Sequence, residues 1–170
     1  MRKILCLAAC ALLCLTVTLA VAEGAELPSV DERLAAEGRR GGWVTWSVED
    51  LRAYQYELDL EGTLLDEAPE GWLSREEVLE LGISRILELD ELLQPQVWYD
   101  VKDPVTVTEE LLRSLSWNAV PAEQTETGQD VWYLWIYDPD WLVPAMDCYD
   151  ITLDAHTGEV LSLFTPGGWG

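Results

Sequence analysis

Polar and apolar residues alternate with period two near the end of the chain, where Tyr149, Ile151 and Leu153 interleave with Asp150, Thr152 and Asp154. That is the pattern of a strand with one buried face. Ala155 to Gly158 supply a tight turn, with Gly158 able to take the positive φ that closes such loops. Residues 159–164 resume as a second strand, which completes a hairpin. Upstream, residues 131–137 (Val-Trp-Tyr-Leu-Trp-Ile-Tyr) are apolar at both parities. Such a run predicts a central strand covered on both faces. Trp132 and Trp135 fall on opposite faces, so at least one of them need not be core.

The strongest helical pattern covers residues 75–93. Ser74 and Glu77 have the spacing of a capping box. Val78, Leu79, Ile83, Ile86, Leu87 and Leu93 form one stripe, with Glu76, Glu80 and Glu88 largely outside it. Gly82 costs about 1 kcal/mol against Ala inside a helix, so a close approach to the sheet is the physical reason to keep it. A second helix is predicted over 48–58, capped by Ser47, with Val48, Leu51, Tyr54 and Leu58 as its stripe. Glu61-Gly62 ends it, and Ala68-Pro69-Glu70-Gly71 makes a turn. Residues 29–36 read as a short helix opened by Ser29 and Glu32, followed by a flexible Gly-Arg-Arg-Gly-Gly linker. Residues 96–101 read as a strand. Residues 106–120 carry two patterns, helical at 109–113 and strand-like at 115–119. Residues 121–130 read as a polar loop, and 165–170 as a loose tail.

The hairpin run, an aromatic-x-apolar-x-apolar strand continuing Asp154-Ala-His-Thr-Gly158-Glu159-Val-Leu, resembles the end of a PepSY domain. That family occurs in propeptides of thermolysin-like metallopeptidases and in free-standing exported modules. The Ser74-Arg-Glu-Glu-Val helix opening and the Val131–Tyr137 strand also fit the family pattern, so the likeness spans 74–93 and 131–164. Trp46-Ser-Val-Glu49 resembles a segment that often precedes the domain helix. The chain departs from the pattern at Val78 and Gly82, where the family tends to have Ala. The resemblance implies an α+β fold, an antiparallel sheet packed against one main helix with additional short N-terminal helices. It marks Tyr149, Asp154, Gly158 and Glu159 as motif positions. It also implies peptide binding or peptidase inhibition rather than catalysis.

Arg2 and Lys3 precede an apolar run ending Ala20-Val21-Ala22, the pattern of a secretory signal with an A-x-A cleavage site. The expected organisation is a signal peptide at 1–22, a flexible segment at 23–42, one PepSY-like module at 43–165 and a tail at 166–170. The expected location is outside the cytoplasm, secreted or in the cell envelope, after cleavage near Ala22. The chain has 32 acidic against 10 basic residues and a net charge of −22. Such a surface repels nucleic acid and anionic membranes and favours basic partners or cations. Of four cysteines, Cys6, Cys10 and Cys14 belong to the signal, which leaves Cys148 with no partner for an intrachain disulfide.

Catalytic chemistry finds little support. His156 is the only histidine and lies in the hairpin turn, so neither a zinc site of the His-Glu-x-x-His kind nor a nucleophile–histidine pair can be assembled around it convincingly. Asp138, Asp140, Asp147 and Asp150 offer oxygen ligands for calcium, but Asp59-Leu-Glu61-Gly62 lacks the spacing of an EF-hand loop. No cofactor is implied. The nine tryptophans mostly suit a core, but Trp141 and Trp169 are candidates for exposed binding aromatics. The sequence therefore points to a non-enzymatic module that binds a protein or peptide, including a peptidase with a basic surface. A cell-wall or glycan-binding module built on exposed tryptophans is the alternative.

Overall fold

The computed structural model describes residues 27–38, 42–93, 107–124, 127–137 and 148–164. One antiparallel sheet holds β1 (Thr63–Leu64), β2 (Ser116–Glu123), β3 (Asp130–Tyr137), β4 (Cys148–Asp154) and β5 (Val160–Phe164), side by side in chain order. The helices are α1 (Val30–Glu37), α2 (Val48–Ala53), α3 (Arg75–Leu93) and α4 (Glu109–Ser114), with a 3-10 turn at Gly42–Thr45. The chain is thus α+β, the fold class that the resemblance implies.

β3 is the central strand, and its two parities feed two cores. Trp132, Leu134 and Ile136 join Tyr149, Ile151 and Leu153 of β4, Val78, Ile83 and Ile86 of α3, and Leu112 of α4. Val131, Tyr133, Trp135 and Tyr137 join Val120 and Ala122 of β2 with Val30, Leu34, Val44, Trp46, Leu51 and Tyr54. Burial of this kind contributes about 25 cal/mol per Å² of apolar surface. Because both faces are covered, Trp132 and Trp135 are both buried. The expectation that one of them could lie outside a core is corrected accordingly.

The main helix begins where its capping box places it. The Glu77 amide donates to Ser74 Oγ at 3.3 Å, and the Ser74 amide donates to Glu77 Oε2 at 2.8 Å. The Ser74 amide, and after it the Ser74 hydroxyl donating to the same oxygen at 2.8 Å, lower the Glu77 pKa. Val78, Ile83 and Ile86 are buried, with Leu79 and Leu87 half-buried beside them. Gly82 is the contact point with the sheet. A Cβ there would collide with Leu134 Cδ2 and stand 3.3 Å from Ile151 Cδ1.

Several expectations change. Residues 23–42 were expected as a flexible lead-in, yet α1 within them docks on the second core through Val30 and Leu34. Arg33 fastens it, lying 3.9 Å from the Trp46 ring centroid and pairing with Asp50 at 3.0 Å. That partner lowers the Asp50 pKa. The helix predicted over 48–58 stops at Ala53, and the chain continues in turns through Asp59, which has φ 53°. Its stripe still reaches the core because Leu51 and Tyr54 are buried. Residues 106–120 follow both of their patterns in succession, as α4 and then β2. β2 runs on to Glu123 through Pro121, so the loop predicted from 121 begins later. The strand expected at 96–101 lies outside the described residues.

Candidate functional site: a cleft on the open edge of β2

β1 is only two residues long, and it covers only the end of its neighbour. Thr63 and Leu64 pair with Glu123 and Ala122, and the Leu65 amide adds one bond to the Pro121 carbonyl at 2.8 Å. Beyond Leu65 the chain leaves the sheet. Antiparallel strands alternate residues whose backbone groups point to one neighbour with residues pointing to the other. Since the Pro121 carbonyl points toward β1, the amides and carbonyls of Ala119 and Trp117 point the same way. Among the described residues none pairs with them. The same parity explains how Pro121 sits inside a strand: its missing N–H lies on the outer side, where the ladder to β3 loses nothing.

The neighbouring edge is treated differently. Arg52 donates through Nε and Nη2 to the Leu64 carbonyl at 3.0 and 2.7 Å, and its Nη1 pairs with Asp66 at 3.2 Å. Its guanidinium thus closes the outside of β1, a protection that exposed edges commonly need. Among the described residues the β2 edge has no such cap.

A cleft of about 780 Å³ runs along that edge. One wall is the segment Val44–Val48, tied to β2 by the Asn118 side-chain amide donating to the Trp46 carbonyl at 3.4 Å. The opposite wall carries Arg75, Trp117 and Trp132, and Asp66 and Glu67 also line the cleft. The volume lies within the range of ordinary ligand sites.

Two side chains of the wall have unmet needs. Arg75 is the first residue of α3; its Nη2 donates to Asn118 Oδ1 at 2.7 Å, and its guanidinium carbon lies 4.8 Å from the Trp117 ring centroid. Among the described arginines, Arg33, Arg52, Arg85 and Arg113 each have a carboxylate partner. Arg75 has none among the described residues, although the chain has 32 acids. Trp132 is 3% exposed, and its indole Nε1 has no hydrogen-bond partner among the described residues. Other buried tryptophans are satisfied. Trp46 Nε1 donates to Glu37 Oε2 at 3.2 Å, and Trp135 bonds the Asp150 carboxyl. Asp150 retains an exposed surface as a residue, but the protein packed around its carboxyl raises its pKa.

The motif positions lie elsewhere and serve the hairpin. Tyr149 is buried in the first core opposite Ile136. Asp154 organises the turn, accepting from the Thr157 amide and hydroxyl, each at 2.8 Å, and from the His156 amide at 3.0 Å. These bonds push the Asp154 carboxyl down to about 2, the Thr157 amide being the largest cause. Gly158 has φ 72° and faces Leu81 and Leu73 so closely that a Cβ would collide. Glu159 is exposed, and its carbonyl accepts from the Asp154 amide at 2.8 Å. His156 Nε2 lies 3.1 Å from Asp130 Oδ2 and packs edge-on to Trp72. Trp141 and Trp169 lie outside the described residues, as do Asp138, Asp140 and Asp147. The Cys148 side chain is also outside them.

Sequence reasoning therefore picked out the hairpin and missed the cleft. The available signal was Pro121 at the end of a strand-like alternation, which implies a strand with one open side. Among the described residues, no cluster of three or more His, Cys, Asp or Glu is arranged to hold a metal. No described helix is long and apolar enough to cross a membrane. No family model, curated protein or solved structure matches the chain.

Proposed function

We propose that this chain is an exported PepSY-like module that binds an extended polypeptide segment without catalysis, by adding it as a strand to the open edge of β2. The observation that carries the reading is the outward set of backbone groups at Trp117 and Ala119, lying within a cleft rather than on a bare edge. Strand addition draws affinity from main-chain hydrogen bonds and selectivity from side-chain pockets. The cleft has both. The net charge of −22 steers basic partners toward the molecule, and a peptidase with a basic surface fits that description.

The glycan reading ranks second. Trp117 is the aromatic platform of the cleft, but one face of its ring already carries Arg75. A fluorescence polarisation titration with labelled mixed-sequence hexapeptides, run beside oligosaccharides of cell-wall type, separates the two. Saturable peptide binding that oligosaccharides do not displace supports the proposal. Saccharide binding with no peptide binding overturns it.

A further inference from the structure

We infer that the cleft reads the free C-terminal carboxylate of its peptide, with Arg75 as the anion partner. This rests on the peptide-binding reading above and specifies which end of the peptide is held. Three observations converge on it.

The first is direction. β1 runs antiparallel to β2 and leaves the edge at Leu65, opposite Pro121. A ligand strand taking the vacated place in the same antiparallel sense runs from Pro121 toward Trp117. Its carboxyl end arrives beside Trp117. A parallel strand would pair slightly less well and depart from the rest of the sheet.

The second is charge. Arg75 stands at that end, held over Trp117 and against Asn118 Oδ1, with no carboxylate partner among the described residues. Guanidinium and carboxylate form short, charge-assisted, often two-bonded contacts. The acceptor now facing Arg75 is a neutral amide oxygen, which leaves other N–H groups of the guanidinium for a ligand. Asp66 and Glu67, which follow Leu65 where the chain leaves the sheet beside Pro121, also line the cleft. Upstream basic side chains of the peptide therefore meet acids, while its terminus meets the arginine.

The third is the orphan donor. Trp132 stands opposite Pro121 and lines the cleft, with its buried indole N–H unpaired among the described residues. A buried donor left unmatched is costly, so a side-chain movement that brings it an acceptor when peptide binds recovers stability the unliganded protein forgoes. A carbonyl of the same peptide, upstream of its carboxylate, is such an acceptor.

The test uses the full chain and two pools of fluorescent mixed-sequence hexapeptides, identical except that one ends in a free carboxylate and the other in a carboxamide. The free-acid pool is expected to bind about tenfold more tightly or better, as loss of a charged hydrogen-bonded pair would give. R75Q is expected to bring the acid pool down to the level of the amide pool. Equal binding of both pools by the unaltered protein overturns the carboxylate inference and leaves the peptide reading standing. Binding of neither pool overturns both. The comparison of pools needs no variant, so a failure of R75Q to fold does not blunt it.

Discussion

Asp154 Oδ1 accepts both the amide and the hydroxyl of Thr157, each at 2.8 Å, and this pair of bonds sets the β4–β5 turn. A short polar side chain that captures backbone amides two and three residues on is the usual physical basis of an Asx turn. The Asp-x-x-Thr-Gly portion of the motif is thereby accounted for as turn architecture, with no appeal to binding.

Asp154→Ala should destabilise the fold by about 1 kcal/mol, a discounted figure because the carboxylate remains partly solvated. The pH dependence has a definite sign. The folded Asp154 carboxyl sits near 2 against an ordinary value of 3.8, so its contribution is complete above about pH 4 and is lost as pH falls toward 2. Urea titrations of the unaltered chain and of Asp154→Ala between pH 2 and 6 should give curves that converge at the acid end.

Gly82→Ala sets two effects against each other. Helix propensity gains about 1 kcal/mol. The added methyl, however, strikes Leu134 Cδ2 and crowds Ile151 Cδ1, both in the first core. Overpacking of a tight core costs about 1–3 kcal/mol. A net loss of about 1 kcal/mol is expected in chemical denaturation, where propensity alone would give a gain.

Tyr133→Phe tests the tether between the loop before β1 and the central strand. The Tyr133 hydroxyl accepts from the Glu61 amide at 2.9 Å and donates to the Glu61 carbonyl at 3.1 Å. Its surroundings raise the phenol pKa, desolvation being the main cause. Removing the hydroxyl strands both Glu61 groups, and a loss of about 1–2 kcal/mol is expected in thermal or urea unfolding.

Ala119→Pro isolates the edge from the ladder. Its amide points away from β3, as that of Pro121 would, so the sheet should survive with its circular dichroism unchanged. Peptide binding should weaken about fivefold or more, because one main-chain donor to the ligand is gone. Unchanged affinity in a folded variant would place the ligand elsewhere.

How far these features were legible follows from their physics. Short-range patterns translated well: the Ser74–Glu77 box, the two-sided apolar run of β3 and the 149–164 hairpin all depend on residues close in sequence. The reason for Gly82 was also visible, because a glycine inside a strong helical stripe demands a close neighbour. The cleft was not visible, because it is made by where β1 stops rather than by any motif. Two residues of strand carry no periodicity, and Thr63-Leu64 therefore went unread. Arg75 and Trp117 are separated by 42 positions and only the sheet brings them together. The motif residues were legible through their turn chemistry, and they lie in the β4–β5 hairpin rather than in the lining of the cleft.

The most direct test of the edge-pairing account is amide hydrogen exchange at Trp117 and Ala119, read residue by residue by NMR with and without saturating hexapeptide. The account predicts fast exchange at both amides in the unliganded chain, against slow exchange at Asn118 and Val120, and protection of both when peptide is added. Slow exchange at Trp117 and Ala119 without peptide, or no change on saturation, would contradict it.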